Sequence, residues 1–315
     1  MKRWLISLLA LCIAAPALAQ YPAKPVRVIV TTVPGPLDTF ARILCEKMST
    51  ALKQPFVIEN KAGAGGNIGA ELVAKSAPDG YTLLFALDTT FTVNPAIYKT
   101  MPFDPVKDFA VVSVPVTYGQ MLAVNAGVQA KSVGELVALA KHKPMNYASG
   151  GNGSPSHLSF AYFLATSGAD MNHIPYKGTG QSIVDVVAGQ VDSIFAVTTG
   201  VYPHVKSGKL RALAVSSAKR SEVAPEVPTV AEAGFPGFDA SFAYVLLAPA
   251  GTPDEIVQTL AREMKNAMAA ADVREKNRNA DYSATDLDPK QSAAWLKVKR
   301  EHWARVVQRA SITLQ

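Results

Sequence analysis

The sequence predicts an α/β protein of two domains that are joined by two crossing strands and separated by a central cleft. Strand and helix patterns alternate over residues 26–87, and the alternation starts again after residue 131. Two long apolar extended segments, Val111–Val124 and Phe238–Ala248, are placed to carry the chain into a second domain and back. We therefore expect residues 20–120 plus 243–315 to form the first domain and residues 121–242 to form the second.

The first domain begins with a βαβα pattern, which predicts parallel strands with helices on both faces of the sheet. Apolar residues at helical spacing follow the first strand, and Asp38 is the expected N-cap of that helix. The expected elements are strand Val26–Thr32, a helix through Phe40 to Leu52, strand Phe56–Glu59, helix Asn67–Lys75 and strand Tyr81–Leu87.

The second domain repeats this alternation in shorter elements, and the chain then ends in helices. One terminal helix is expected to start at Pro253, and Asp288 with Pro289 is expected to cap the last one. The elements expected between them are helix Ser132–His142, strand Met145–Ala148, helix Ser156–Thr166, strand Asn172–Pro175, helix Gly180–Ala188, strand Val191–Val197, helix Thr199–Ser207 and strand Leu210–Val215.

Residues 1–19 have the pattern of a cleaved signal peptide, so the mature chain should begin at Gln20 and be exported. Lys2 and Arg3 precede the apolar stretch Trp4–Ala15, which is too short to span a bilayer. Without those two cations the formal net charge falls from +6 to +4, and the remaining Lys and Arg are scattered, which does not favour a nucleic-acid partner. Cys45 lies in an apolar helical stripe and is expected to be a buried thiol.

Four glycine- or serine-rich turns, each opening into an expected helix, are the most informative feature of the sequence. The backbone N–H groups at a helix start are unpaired and carry partial positive charge, and glycine lets a ligand approach them closely. Since ligands of α/β sheets bind beyond the carboxyl ends of strands, all four turns can face one anion-binding cleft. The turns are Val33–Asp38, Ala62–Asn67, Ser149–His157 and Lys177–Gln181.

No pattern for catalysis, metal binding or nucleotide binding is found. Ser154 and His157 are close in sequence, but Gly-x-Ser-x-Gly is absent, and Ser154 is a better candidate for a helix N-cap before Pro155. The histidines do not form a pair at metal-ligand spacing. The segment Gly63–Gly69 departs from the dinucleotide fingerprint and lacks the lysine of a phosphate-binding loop. We expect no catalytic residue, metal or cofactor.

Several segments, in order along the chain, resemble the tripartite tricarboxylate transporter receptors, the Bug family of periplasmic solute-binding proteins. The resemblance implies a type II periplasmic-binding-protein fold, a periplasmic location, an organic-acid ligand held by backbone amides and hydroxyls, and closure of the two domains on that ligand. The segments that carry it are Pro34–Arg42, Asn60–Gly69, Pro78–Leu83, Asn94–Pro95, Gly151–Leu158, Pro175–Gly180, Gly189–Asp192, Gly208–Ala214, Pro228–Gly234 and Ala248–Pro253.

The resemblance also implies which positions contact the ligand. They are Thr32, Pro34, Gly35, Leu37, Asp38, Asp88, Thr89, Thr90, Ser149, Gly150, Asn152, Gly153, Ser154, Lys177, Gly178, Thr179 and Ala196. Three of them depart from the family pattern. Pro34 replaces the first glycine of a pair and donates no N–H, Asp88 stands where serine or threonine is common, and Ala196 stands where aspartate is common. Asp88 is either a solvated loop acid or a group that repels a second carboxylate and favours an amine.

Three functions remain open at this point. The first is a monomeric receptor that delivers an organic acid to a membrane transporter, and the second is a binding protein of the same fold that signals to a membrane sensor kinase. The third is an exported hydrolase that uses Ser154 and His157.

Overall fold

Two mixed β-sheets form the framework of the protein. The computed structural model describes residues 21–310 and 312, so the signal peptide expected at residues 1–19 lies outside the described part. The first sheet contains β1 (Val26–Val30), β2 (Phe56–Asn60), β3 (Thr82–Leu87), β4 (Phe109–Tyr118), β10 (Phe242–Pro249) and β11 (Ser283–Ala284). The second contains β5 (Met121–Asn125), β6 (Asn146–Ser149), β7 (Asn172–Pro175), β8 (Ser193–Ala196) and β9 (Leu210–Val215).

The strand order separates a parallel core from antiparallel additions. The first sheet runs β11-β4-β10-β3-β1-β2, and the second runs β7-β6-β8-β5-β9. Strands β2, β1 and β3 are parallel, which confirms the βαβα prediction for residues 26–87. Strand β10 is antiparallel to both β3 and β4, because it returns to the first sheet from the second.

Helices cover both faces of the first sheet. Alternate residues of β1 belong to different apolar clusters, with Val28 in one and Ile29 in the other, as expected for a strand buried on both faces. The helices beside this sheet are α1 (Pro36–Leu52), α2 (Asn67–Ala74), α3 (Thr89–Thr92), α4 (Asn94–Ile97), α9 (Asp254–Ala269), α10 (Ala271–Ala280) and α11 (Pro289–Arg309). Those of the second sheet are α5 (Val133–His142), α6 (Pro155–Ser167), α7 (Thr179–Val187) and α8 (Thr198–Lys206).

The chain passes between the sheets at two places, and both are hydrogen-bonded to one serine. The apolar run Val111–Val124 is interrupted at Gly119 and Gln120, where β4 ends and β5 begins. Gln120 N donates to Ser216 Oγ (2.9 Å) and its carbonyl accepts from Ser216 N (2.7 Å). Ser216 Oγ in turn donates to the Ala240 carbonyl (2.9 Å), just before β10. The exact domain division at residues 120 and 243 stays a prediction.

The prediction of Asp38 as an N-cap is wrong. Helix α1 begins at Pro36, with Gly35 as N-cap, because proline is preorganised for the first helical position. Asp38 therefore lies inside the first turn, where Arg42 donates to both carboxylate oxygens (2.9 and 3.0 Å). By contrast, Asp288 caps α11 as predicted, since its carboxylate accepts from Gln291 N (2.7 Å).

The second glycine turn fits closely against the end of β1 and the start of α3. Gly66 has a φ of +95°, and a Cβ there would overlap the Thr90 hydroxyl and lie 3.2 Å from Thr31 Cβ. Gly168, after α6, has a φ of +66° but open space around the Cβ position. A side chain at Gly168 would cause backbone strain alone, whereas a side chain at Gly66 would cause both strain and a steric clash.

We predict that Gly66→Ala lowers the free energy of unfolding by at least about 3 kcal/mol, because strain and overlap add. Gly168→Ala, the matched control, should cost only about 1 kcal/mol, because strain acts alone. Urea unfolding of both variants measures this difference. Equal losses would show that the second turn tolerates a side chain.

Candidate functional site

A cleft of about 410 Å³ lies between the two sheets and is lined by residues from both. Residues near β1 and α1 form one side, which we call the first wall, and residues near α6, α7 and β8 form the second wall. The crossing segments form the floor. The lining residues are Thr32, Val33, Pro34, Gly35, Pro36, Leu37, Leu87, Tyr118, Gln120, Pro155, Ser156, Thr179, Gly180, Ile183, Val197 and Tyr244. None of these residues carries a charged side chain.

Three helix N-termini point their first turns at this cleft. Helix α1 starts at Pro36, α6 at Pro155 and α7 at Thr179, and the first residues of each line the cleft. Helices α1 and α7 have glycine N-caps, Gly35 and Gly178, with no side-chain cap. Their first N–H groups have no partner within the helix and carry partial positive charge, so the cleft is suited to an anion.

Only part of the predicted turns reaches the cleft. The first turn contributes Val33 to Leu37, the fourth contributes Thr179 and Gly180, and the third contributes Pro155 and Ser156. The second turn, residues 62–67, is absent from the lining. Its Gly65 carbonyl instead accepts from Thr90 Oγ1 (2.9 Å) and Asn94 Nδ2 (3.0 Å), so Thr90 holds this turn in place.

Hydrogen bonds within the third turn engage most of its residues that were expected to contact a ligand. Ser149 Oγ accepts from Gly151 N (3.0 Å), and Ser154 Oγ donates to the Gly151 carbonyl (2.7 Å). Gly150 N donates to Ser156 Oγ (2.9 Å). The turn therefore presents Pro155 and Ser156 to the cleft, while the Asn152 side chain is exposed to solvent.

The geometry around Ser154 and His157 is that of a helix cap. Ser154 Oγ accepts from His157 N (3.4 Å), as the N-cap prediction requires. The His157 ring is engaged elsewhere, since Nδ1 accepts from Gly153 N (3.1 Å) and the ring stacks on His173 at 4.3 Å. Burial and the neighbouring His173 lower the pKa of His157 to about 4. Because the Nδ1 atom already accepts a hydrogen bond from a backbone amide, the His157 ring is poorly placed to act as a base for Ser154.

Most of the remaining predicted positions lie behind or beside the cleft. Thr89 and Ala196 are buried, and the neighbour of Ala196, Val197, forms the surface of the cleft. Lys177 is exposed, and Gly178 precedes α7. Thr32 does line the cleft, and its buried Oγ1 has no hydrogen-bond partner among residues 21–310.

Asp88 is fully buried, so the interpretation as a solvated loop acid is wrong. The carboxylate accepts from Ala243 N (2.9 Å) and from Thr92 Oγ1 (3.3 Å), because the end of β3 lies directly beside β10. Asp88 is not among the lining residues, which also removes the support for a pairing with a ligand amine. Burial raises its pKa to about 7, although the Ala243 amide, Lys299 and Thr92 act in the opposite direction.

The sequence reasoning missed the floor of the cleft. Tyr118 and Gln120 lie where the first crossing segment leaves β4, and Tyr244 lies on β10, the second crossing strand. The Tyr118 and Tyr244 rings are 5.2 Å apart, and the Tyr244 and Tyr282 hydroxyls are hydrogen-bonded (2.8 Å). A signal was present, since the apolar run Val111–Val124 is broken by polar residues at this point.

In the part of the chain that the structure describes, no helix is long and apolar enough to cross a membrane. The His, Cys, Asp and Glu side chains of that part do not form a group of three or more that could hold a metal ion.

Comparison with known proteins identifies the class of protein to which this chain belongs. The model of the tripartite tricarboxylate transporter family receptor matches residues 40–312. Protein BugT of Bordetella pertussis is 36% identical over 308 residues, which cover 96% of this chain and 94% of BugT. A solved Rhodopseudomonas palustris protein with adipate has a TM-score of 0.84 at 30% identity, over 93% of this chain and 100% of that one. MatC from the same species, with bound malate, gives 0.80 at 31% identity, over 91% and 100%.

These matches define a periplasmic binding protein with the two-domain α/β fold, as the resemblance implied. The chain belongs to the tripartite tricarboxylate transporter receptor family, which includes the Bug proteins. The family is one of solute-binding receptors rather than enzymes.

We predict that Asp88 makes stability depend on pH. The folded-state pKa is raised, so its contribution to stability is full below the unfolded pKa of about 4 and is lost as pH rises through about 7. From pH 5 to pH 8 the wild type should lose on the order of 2 kcal/mol of unfolding free energy that Asp88→Asn does not lose.

Urea unfolding of both proteins at the two pH values measures the effect. Asp38→Asn is the control, because its partner Arg42 lowers the Asp38 pKa and the carboxylate stays charged throughout. That variant should be destabilised to the same extent at both pH values. Parallel pH profiles for the wild type and Asp88→Asn would contradict the prediction.

Proposed function

We propose that this protein captures a small organic acid in the cleft, closes its two domains around it and delivers it to a tripartite tricarboxylate-type membrane transporter. The observation that carries the proposal is a cleft between two lobes, free of charged side chains, at which three helix N-termini converge. The relatives solved with adipate and malate support a carboxylate as the ligand.

The physical basis is the binding of a carboxylate by backbone N–H groups. Bonds from such donors to an ionised oxygen are charge-assisted and roughly twice as strong as neutral ones. The helix ends add partial positive charge without the need for an arginine. Five of the predicted positions line the cleft and are therefore placed for direct contact: Thr32, Pro34, Gly35, Leu37 and Thr179.

The other predicted residues act as support in this proposal. Ser149, Gly150, Gly153 and Ser154 hold the third turn in shape through their own hydrogen bonds. Asp88, Thr89, Thr90 and Ala196 pack behind the cleft. Asp38 fixes the first turn of α1 through Arg42.

The crossing segments are the proposed hinge. The walls of the cleft belong to different sheets, and the chain connects those sheets at Gly119–Gln120 and at the segment before β10. A few residues at such segment ends can absorb the backbone rotations that domain closure requires. We further propose that residues 1–19 direct export to the periplasm and that the mature protein acts as a monomer.

We predict that an organic-acid ligand makes the protein both more stable and more compact. The mature protein is unfolded and refolded to remove bound ligand, and then screened by thermal shift against mono-, di- and tricarboxylates, with sugars and neutral amides as controls. A ligand at 100 times its Kd adds about 2.7 kcal/mol, or a few degrees in melting temperature.

Small-angle scattering with the best ligand should show a smaller radius of gyration, because closure brings the lobes together. Stabilisation by sugars or amides but by no acid would contradict the receptor proposal. Stabilisation without compaction would contradict domain closure.

A further inference from the structure

Gln120 places a primary amide at the floor of the cleft, in the segment between β4 and β5. The residue is only 3% exposed and lines the cleft. Its Oε1 accepts from Ser159 Oγ of α6 (2.8 Å), which holds the amide against α6. Nε2 has no acceptor among the residues that the structure describes, so two N–H groups remain for a ligand.

The amide lies beside the start of α6. Ser156 and Ser159 are three residues apart on that helix and share one face, and Ser156 also lines the cleft. The N–H groups of the Gln120 amide therefore lie close to the N–H groups in the first turn of α6. Helix α7, with its uncapped glycine N-cap, begins on the same wall at Thr179.

The first wall differs from the second in the charge near its helix start. Pro34 has no N–H, and the first turn of α1 already contains the carboxylate of Asp38. An acid in the first turn uses part of the favourable interaction with the helix dipole. The first turns of α6 and α7 contain no acidic residue.

Most of the remaining surface of the cleft is apolar. Leu37 and Leu87 on the first side, with Ile183 and Val197 on the second, form much of the remaining surface together with Tyr244. A second carboxylate placed against these side chains would lose its hydration and meet no cation. An apolar body would be buried there favourably.

We propose that the ligand is a monocarboxylate with an apolar body, bound with its carboxylate on the second wall between the N-termini of α6 and α7 and the amide of Gln120. The proposal rests on the receptor function proposed above and specifies its ligand class. The amide of Gln120 donates directly to the carboxylate, and Ser159 positions Gln120.

Matched ligand pairs test the class. Hexanoate and adipate differ by one terminal carboxylate, as do 4-methylbenzoate and terephthalate, and hexanamide removes the charge of hexanoate. Calorimetry with the refolded mature protein should give at least tenfold tighter binding of the monoacid in one pair and weaker binding of hexanamide. Equal or tighter binding of the diacids would overturn this inference and leave the receptor function standing. No binding by any acid of the panel would overturn both.

The same substitution inside and outside the cleft tests the placement. Thr179→Val removes a hydroxyl from the second wall, and Thr166→Val removes one at the other end of α6, outside the cleft. The best monoacid should lose about tenfold in affinity in Thr179→Val and less than about twofold in Thr166→Val. Equal affinities in the two variants would overturn the placement on the second wall.

Variants of Gln120 separate ligand contact from folding. Gln120→Met keeps the length of the side chain but removes the amide, and should weaken monoacid binding about tenfold. It also leaves the buried Ser159 hydroxyl without its partner, so its melting temperature should fall. The double variant Gln120→Met/Ser159→Ala should recover much of the melting temperature but not the affinity. Recovery of full affinity in the double variant would overturn the role of Gln120.

Discussion

The hydrogen bonds of Ser216 are the constraint on which the rest of the structure depends. This fully buried serine joins both crossing segments, because it is bonded to the backbone of Gln120 and to both backbone groups of Ala240. The two walls of the cleft belong to different sheets, and both passages of the chain between those sheets meet at this serine. A buried network with all its members satisfied is rigid, so it provides a fixed pivot rather than a flexible linker.

Glycine-rich turns serve two different purposes on this framework. The first and fourth leave helix starts open beside the cleft, with Gly35 and Gly178 as uncapped N-caps. The second turn is closed by hydrogen bonds from Thr90 and Asn94, and Gly66 is required there because neighbouring side chains leave no room for a Cβ. Similar composition thus produces a binding surface in one place and a packed support in the other. The difference lies in which side chains the fold brings against each turn.

The sequence predicted what depends on local periodicity and on short-range chemistry. The parallel arrangement of β1 to β3, the N-cap at Ser154 and the cap at Asp288 all follow from neighbouring residues. The environments of Asp88 and Gln120 could not be predicted this way. Asp88 meets a strand 155 positions away, and Ser216 is 96 positions from Gln120. The prediction of Asp38 as an N-cap failed for a local reason, because Pro36 starts the helix two residues before Asp38.

A cleft without charged side chains couples affinity to closure. Backbone N–H groups and an amide are weak competitors for a carboxylate in open, water-filled geometry, because water screens partial charges and offers equivalent hydrogen bonds. Once the lobes exclude water, the same donors act in a medium of lower dielectric constant and bind the anion more strongly. An arginine would attract the anion in the open state as well. Neutral donors on the second wall and floor therefore concentrate the binding free energy in the closed form, and opening of the lobes is sufficient for release.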